Sequence, residues 1–261
     1  MGQGYSEGSE KFGRLAQLAR ASPLQGEGRG FESLNAHDVV QCATFILVGM
    51  TTVGLVLYPQ FTALDIVGPF QTLVDVPGLD VFFVAADKGL VVDHTGKLRI
   101  EATHSFDEID ALDVVVVPGG LADRGIDRSN AVVQFVEKIH PTTTWTTSVC
   151  TGSIYLAHAG ILNGLSATTH WASYDRLEAL GAKPTEQRVI TQGKIITAAG
   201  VSSGIDMGLA LVAALQGDDM AKMIQLAIEY DPQPPFDSGA PSKVSPEMKE
   251  LVATIFSSPD R

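Results

Sequence analysis

The sequence is poor in cysteine, short of cations and free of long apolar runs. Two of its 261 residues are cysteine, Cys42 and Cys150. Two thiols cannot build a disulfide framework, and such sparing use fits a reducing compartment, which we take to be the cytoplasm. With no close pair of histidines to join them, a zinc site is not expected. Lys and Arg number 18 against 30 Asp and Glu, a formal net charge of −12. No basic cluster offsets that charge, which argues against a phosphate backbone and hence against nucleic acid as partner. No apolar run approaches the ~20 residues that span a bilayer, so no membrane partner is expected. The opening residues lack a basic start followed by an apolar core, so a secretory signal is not expected either. What is present is a chain 45% hydrophobic, long enough for one large domain or two small ones.

The order of apolar segments gives the fold class. Thr52–Tyr58 is a continuous apolar strand closed by Pro59, as expected of a strand covered on both faces. A helix is expected from the Phe61–Pro69 stretch toward Val74, then a strand at Leu79–Ala85 and short β elements over residues 91–106. Asp113–Val117 reads as a third buried strand, ending at Pro118-Gly119-Gly120. Val132, Val133, Phe135, Val136 and Ile139 recur at helical spacing between Asn130 and His140. Thr144–Val149 is rich in β-branched residues and suits a fourth buried strand, which runs through Cys150 into an apolar helix. Farther on, a helix is expected at Tyr174–Leu180 and a hairpin at Arg188–Thr197 turning at Gln192-Gly193. A long helix from Ile205 to Leu215, capped by Ser202 or Ser203, and a last one from Asp218 to Tyr230 complete the reading. The proline-rich stretch 230–239 cannot be regular helix. Residues 241–261 form a tail with room for one short helix and too little for a helix-turn-helix module. There are no internal repeats.

Strands alternating with helices imply an α/β fold: a doubly wound, mostly parallel sheet flanked by helices. Such sheets hold their sites at the carboxyl ends of the strands. Asp65 follows the first strand, Gly119-Gly120 the third, and Cys150 sits on a sharp strand-to-helix turn after the fourth. A thiol at a helix N-terminus is expected to have a lowered pKa. Plainer readings stand beside each. Cys150 can be a buried structural cysteine, Asp65 a helix cap, Gly119-Gly120 a turn, Thr151 an ordinary helix-start residue and His170 a structural histidine. Trp145 and Trp171 read as packing residues.

The stretches Pro118-Gly119-Gly120, Ser148-Val149-Cys150-Thr151-Gly152 and Ala167-Thr168-Thr169-His170-Trp171 resemble the ThiJ/PfpI superfamily. Leu64-Asp65-Ile66-Val67-Gly68-Pro69, Cys150-Thr151 and Glu229–Gly239 bring the chain nearest its isonitrile hydratase branch. The resemblance covers about residues 51–240. It implies the class I glutamine-amidotransferase-like fold, a flavodoxin-like three-layer sandwich with a cysteine nucleophile elbow. It also implies a homodimer and a small-molecule substrate, with no cofactor. On the implied chemistry, Cys150 thiolate attacks an isocyanide carbon and forms a thioimidate. Asp65 acts as general acid and then general base, releasing an N-substituted formamide. Asp65 is expected to be protonated opposite the thiolate. Thr151 is expected to bond that carboxyl or to orient the water. N–H groups of Gly120, Leu121 and Thr151, with Gly119 beside them, are candidates for stabilising developing charge or binding substrate. His170 is a candidate for a supporting role.

Two departures narrow the resemblance. The PfpI-like peptidases carry His directly after the cysteine, where this chain has Thr151; many superfamily members place Glu beside the thiol, where this chain has Asp65. Two other readings stay open: hydration of glyoxal or methylglyoxal, and an oxidation sensor in which Asp65 holds a sulfinic acid on Cys150. A lid drawn from Pro232–Gly239 is a further expectation.

Residues 1–49, Cys42 among them, show neither helical nor strand periodicity and are expected to be a disordered or non-native leader, with the domain proper at 50–240. Gly30-Phe31-Glu32-Ser33 can be encoded by GGN-TTC-GAA-TCN, which resembles the T-arm of a transfer-RNA gene, so we expect Met50 to be the initiator. Intact-mass measurement of the natively expressed protein should return a chain beginning at residue 50; a mass for all 261 residues would overturn that expectation.

Overall fold

The structure is a computed structural model that describes residues 50–121 and 125–257. The expected leader over residues 1–49, and Cys42 with it, lies outside the described residues. In chain order the elements are β1 (Thr51–Val56), α1 (Ala63–Leu73), β2 (Leu79–Ala85), β3 (Gly89–Val92), β4 (Arg99–Ala102), β5 (His104–Ser105) and β6 (Val114–Val117). Then come α2 (Ala131–Ile139), β7 (Trp145–Val149), α3 (Gly152–His158), β8 (Ser166–Ala167), α4 (Tyr174–Ala179), β9 (Lys183–Pro184), β10 (Val189–Gln192) and β11 (Ile195–Ala198). The last elements are α5 (Ser203–Gln216), α6 (Asp218–Ala227) and α7 (Pro246–Ser257).

Seven strands form one sheet in the order β10-β11-β7-β6-β1-β2-β5. All neighbouring pairs are parallel except β10 with β11, a hairpin. Its centre is covered on both faces, and Val114, Val115, Val116 and Val117 are all fully buried. The chain winds outward from that centre in two directions. β1 leads through α1 to β2 on one side, and β6 leads through α2 to β7 on the other. Right-handed crossovers therefore place α1 and α2 on opposite faces. The winding reverses between β1 and β6, and the carboxyl ends of those strands open a crevice there.

Some boundaries differ from the expected ones. β1 ends at Val56, with one further ladder bond from Leu57 N–H to Val84 O at 2.8 Å. The hairpin turns on Gly193-Lys194 rather than Gln192-Gly193, since Gln192 still pairs with Ile195 and the positive φ of 59° falls at Gly193. Ser202 is the residue before α5, but its hydroxyl does not cap it; that hydroxyl accepts from Arg188 instead. α6 ends at Ala227, short of Tyr230, where Glu229 takes a φ of 49°. α7 occupies the 241–261 tail, where room for one short helix was expected. Asn130 caps α2 by accepting from the Val132 and Val133 N–H groups. Among the described residues no helix is long and apolar enough to cross a membrane.

The contact that sets the depth of α1 is its packing on α5. Gly68, Pro69 and Thr72 of α1 face Gly204, Ile205 and Gly208 of α5. A Cβ at Gly208 would lie 1.9 Å from Thr72 Oγ1, and one at Gly204 3.1 Å from Pro69 Cδ. Side chains in place of these glycines would push the helices apart. Thr72 is itself fully buried, its hydroxyl donating to Pro69 O at 2.8 Å. Alanine at an ordinary helical glycine gains about 1 kcal/mol; here overpacking should outweigh it. Gly208→Ala should destabilise the fold by about 1–3 kcal/mol in urea titrations. Thr72→Ala in the same background should return part of that loss, a non-additivity expected of residues in contact.

Candidate functional site

Cys150 sits one residue past the end of β7 with a φ of 57°, an uncommon value for a residue with a side chain. The surrounding bonds hold it there. Its N–H donates to Ala198 O and Ala199 O, both at 3.0 Å. Its carbonyl accepts from Thr169 Oγ1 at 3.0 Å and Ser153 Oγ at 3.2 Å. The following helix, α3, lies hard against the end of β6: a Cβ at Gly152 would fall 2.1 Å from Val117 O. The elbow thus needs glycine at 152, and it aims the sulfur into the crevice.

Asp65 reaches the same place from α1. It lies in the first turn of that helix but does not cap it. Its Oδ2 accepts from Gly119 N–H at 2.9 Å, across 54 residues of sequence. The side chain is fully buried, and Oδ1 has no partner of the usual geometry among the described residues. The Cys150 thiol lies against this carboxyl and interacts with it as a hydrogen-bond partner and through charge. Gly119 makes the approach possible. A Cβ there would lie 2.6 Å from Thr151 N, 2.7 Å from Thr151 Oγ1 and 2.8 Å from Asp65 Oδ2. The Pro118 carbonyl before it is held by Tyr58 OH at 2.8 Å, and the Tyr58 ring stands 4.9 Å from that of Tyr155 in α3.

The structure therefore brings Asp65, Gly119, Cys150 and Thr151 together, but it changes what several of them are free to do. Gly119 N–H is given to Asp65 and Gly120 N–H to Thr151 Oγ1 at 3.1 Å. Leu121 N–H donates to Gln60 O at 3.1 Å. These three N–H groups are engaged within the protein, so they shape the crevice rather than receive charge; the expected Thr151 N–H is not among them. Thr151 is likewise corrected: its hydroxyl is taken up by Gly120, whose carbonyl lies 3.4 Å away, and it latches the 119–121 loop to the elbow. The N–H groups that do face the Cys150 sulfur are those of Thr151 and Val201. Val201 had no signal in the sequence, because a backbone N–H is carried by every residue type but proline. His170 accepts from Ala172 N–H at 3.3 Å, and its ring fills the space over Gly200. Burial holds it below the usual histidine range, which favours the neutral ring. Lys249 of α7 lies 5.7 Å from the Trp171 ring centre. Residues 231–239 are exposed, Phe236 at 76%. No group of His, Cys, Asp and Glu among the described residues is placed to hold a metal ion.

The carboxyl is raised as expected, with burial as the main cause, but the thiol departs from expectation. Burial raises the Asp65 carboxyl from 3.8 to about 7, against the opposing pull of Gly119 N–H and the thiol. Cys150 is not lowered by its helix. Burial, and then the charge of Asp65, push the thiol well above its ordinary value despite the Val201 and Thr151 N–H groups. The helix behind it has seven residues, and desolvation outweighs so short a dipole. The dry crevice tolerates one negative charge, so above about pH 7 the pair keeps a single shared proton.

A carboxyl raised on folding favours the folded state fully below its unfolded pKa and loses that contribution as pH climbs through the folded value. For Asp65 the window runs from 3.8 to about 7, worth at most about 4 kcal/mol at 1.36 kcal/mol per unit. Asp65→Asn should therefore match wild type in stability near pH 4 and exceed it by about 2–4 kcal/mol at pH 8. Denaturation midpoints across that range would read it; a variant no more stable at pH 8 than at pH 4, relative to wild type, would contradict the buried charge.

Known proteins resemble this chain. Residues 51–214 match the DJ-1/PfpI family. An isonitrile hydratase from Pseudomonas putida is 40% identical over 205 residues, 77% of this chain and 90% of that protein. Deglycase PfpI from Pyrococcus furiosus is 23% identical over 53% of this chain and 83% of its own. Among solved structures, a ThiJ/PfpI family protein from Pseudomonas syringae superposes with a TM-score of 0.75 at 32% identity, covering 89% of this chain and 93% of that one. With the match running from β1 into α5 and enclosing the elbow and its buried acid, the chain belongs to the DJ-1/PfpI family.

Proposed function

We propose that the protein hydrates an isonitrile to an N-substituted formamide, with Cys150 as nucleophile and Asp65 as proton carrier. The observation that carries this reading is the buried carboxyl of Asp65, one oxygen without a partner of usual geometry, set against the thiol. The likeness to the Pseudomonas putida isonitrile hydratase supports the choice of substrate. The carbon of an isonitrile must accept a nucleophile and a proton at the same atom. A thiol and a carboxyl sharing one proton supply both.

In the first step the thiol proton passes to Asp65, the sulfur bonds to the terminal carbon, and Asp65 delivers the proton to that same carbon. The product is the thioimidate R–N=CH–S–Cys150. Asp65, now a carboxylate, takes a proton from water as the water oxygen adds to the carbon. That proton goes to nitrogen. The carbon–sulfur bond breaks, the new hydroxyl loses its proton to the Asp65–Cys150 pair, and the formamide R–NH–CHO leaves. One isonitrile and one water give one formamide, and the pair recovers its single proton. The thiolate is a good leaving group because Thr151 and Val201 N–H groups face the sulfur. Thr151 acts by fixing the loop on which Gly119 holds Asp65.

With para-nitrophenyl isocyanide, wild type should form the formamide at a rate that rises as pH passes through about 7, where the fully protonated pair loses its first proton. Cys150→Ala should reduce turnover to background, and Asp65→Asn should cost about 10²–10⁴-fold. Turnover of glyoxal or methylglyoxal by a reduced preparation that leaves the isonitrile untouched would replace this reading with aldehyde hydration.

A further inference from the structure

The chain between β11 and α5 makes an abrupt bend at Gly200-Val201. Val201 is β-branched and has a φ of 22°, outside the regions such residues favour. Its N–H is nonetheless one of the two that meet the Cys150 sulfur. Something must hold this bend, and Gly200 cannot do so through a side chain.

Arg188 grips it from both ends. It lies just before β10, opposite the start of the bend. Its carbonyl accepts from Ala199 N–H at 2.9 Å. Its guanidinium reaches across the bend to the first turn of α5. Nε donates to Asp206 Oδ2 at 2.7 Å, and Nη2 lies 2.6 Å from the same oxygen and 3.2 Å from Ser202 Oγ. Tyr230 OH, 3.2 Å from both Asp206 oxygens, closes the cluster. Strand and helix are thus pinned on either side of Val201. A planar fork suits this task, because one side chain must meet a carboxylate and a hydroxyl together. The ion pair is half exposed and is worth little as a contribution to global stability.

We propose that Arg188 is a positioning residue for the nucleophile: by clamping Ala199, Ser202 and Asp206 it holds the Val201 N–H against the Cys150 sulfur. The inference rests on the reading of Cys150 as the working thiol. The groups that face this region are few. Asp65 lies against the sulfur, the neutral His170 ring covers Gly200, and Asp206 and Tyr230 sit at the clamp. The charge that bears on the thiol is that of Asp65; Arg188 acts through the backbone it clamps.

The test is alkylation of Cys150 by iodoacetamide as a function of pH, in full-length wild type, Arg188→Met and Arg188→Lys, with no isonitrile present. Without the clamp the sulfur loses a donor that favours the thiolate. The alkylation midpoint of Arg188→Met should rise by about 0.5–1 pH unit, and the rate at pH 7.5 should fall about 3–10-fold. Arg188→Lys, which can meet Asp206 but not Ser202 as well, should recover part of the difference. A merely structural role predicts the opposite sign, because loosening the fold would expose the thiol and speed its alkylation. Faster alkylation, or a midpoint unchanged in a folded Arg188→Met, would overturn the proposal. The assay contains no substrate, so failure of wild type to turn over isonitriles would refute the functional reading and leave this result standing on its own.

Discussion

A carboxyl and a thiol placed together and almost wholly shielded from solvent cannot both be charged, and much of the surrounding structure answers that one constraint. Asp65 is fully buried and Cys150 is 6% exposed. Each group therefore resists ionising, and each resists more when the other is charged. The pair becomes a store for one proton that can sit on oxygen or on sulfur. Gly119 N–H supports the oxygen side, and Thr151 and Val201 N–H groups support the sulfur side. A site with more donors would fix the proton in one place; a site with none could not hold the charge at all.

Bringing the two groups together makes demands well away from the pair. Asp65 rides on α1, and α1 can sink to the right depth only because Gly204 and Gly208 leave α5 bare where Pro69 and Thr72 meet it. Cys150 rides on the elbow, which closes only because Gly152 leaves room for Val117 O. Gly119 must fit between both partners. These close contacts do the same physical work: each removes a Cβ where two backbones, or a backbone and a polar side chain, have to touch. The energetic consequence is a site poorer in stability than an apolar core of the same size, since it buries a titratable pair.

The parallel sheet, the strands at β2 and β6, the helix at α2 and the elbow at Cys150 were all legible in the sequence. Runs such as Val114–Val117 have no polar face to offer water, so only a sheet covered on both sides accommodates them. The placing of candidate residues after strands 1, 3 and 4 of the reading likewise follows from alternation alone. Less visible was the state of those residues. The tripeptide around Cys150 suggested an acidic thiol at a helix end, yet α3 is one short helix in a dry crevice and burial prevails. The N–H groups of Gly119, Gly120 and Leu121 looked free for a substrate, yet Asp65, Thr151 and Gln60 respectively take them. Local sequence states which groups exist; it does not state which are already occupied.

The sequence by itself determined the α/β class and the order of the main elements, because those depend on the hydrophobic period, and it marked Asp65 and Cys150 as a candidate pair through the family resemblance its motifs carry. Only the tertiary structure decided how the pair is protonated, which N–H groups remain to serve it, and that the Arg188 clamp braces the Gly200-Val201 bend. Those properties depend on desolvation and on hydrogen bonds between segments 30 to 60 residues apart, such as Asp65 with Gly119 and Thr151 with Gly120. Such partners meet only when the sheet has closed, and until then their charges and hydrogen bonds belong to water.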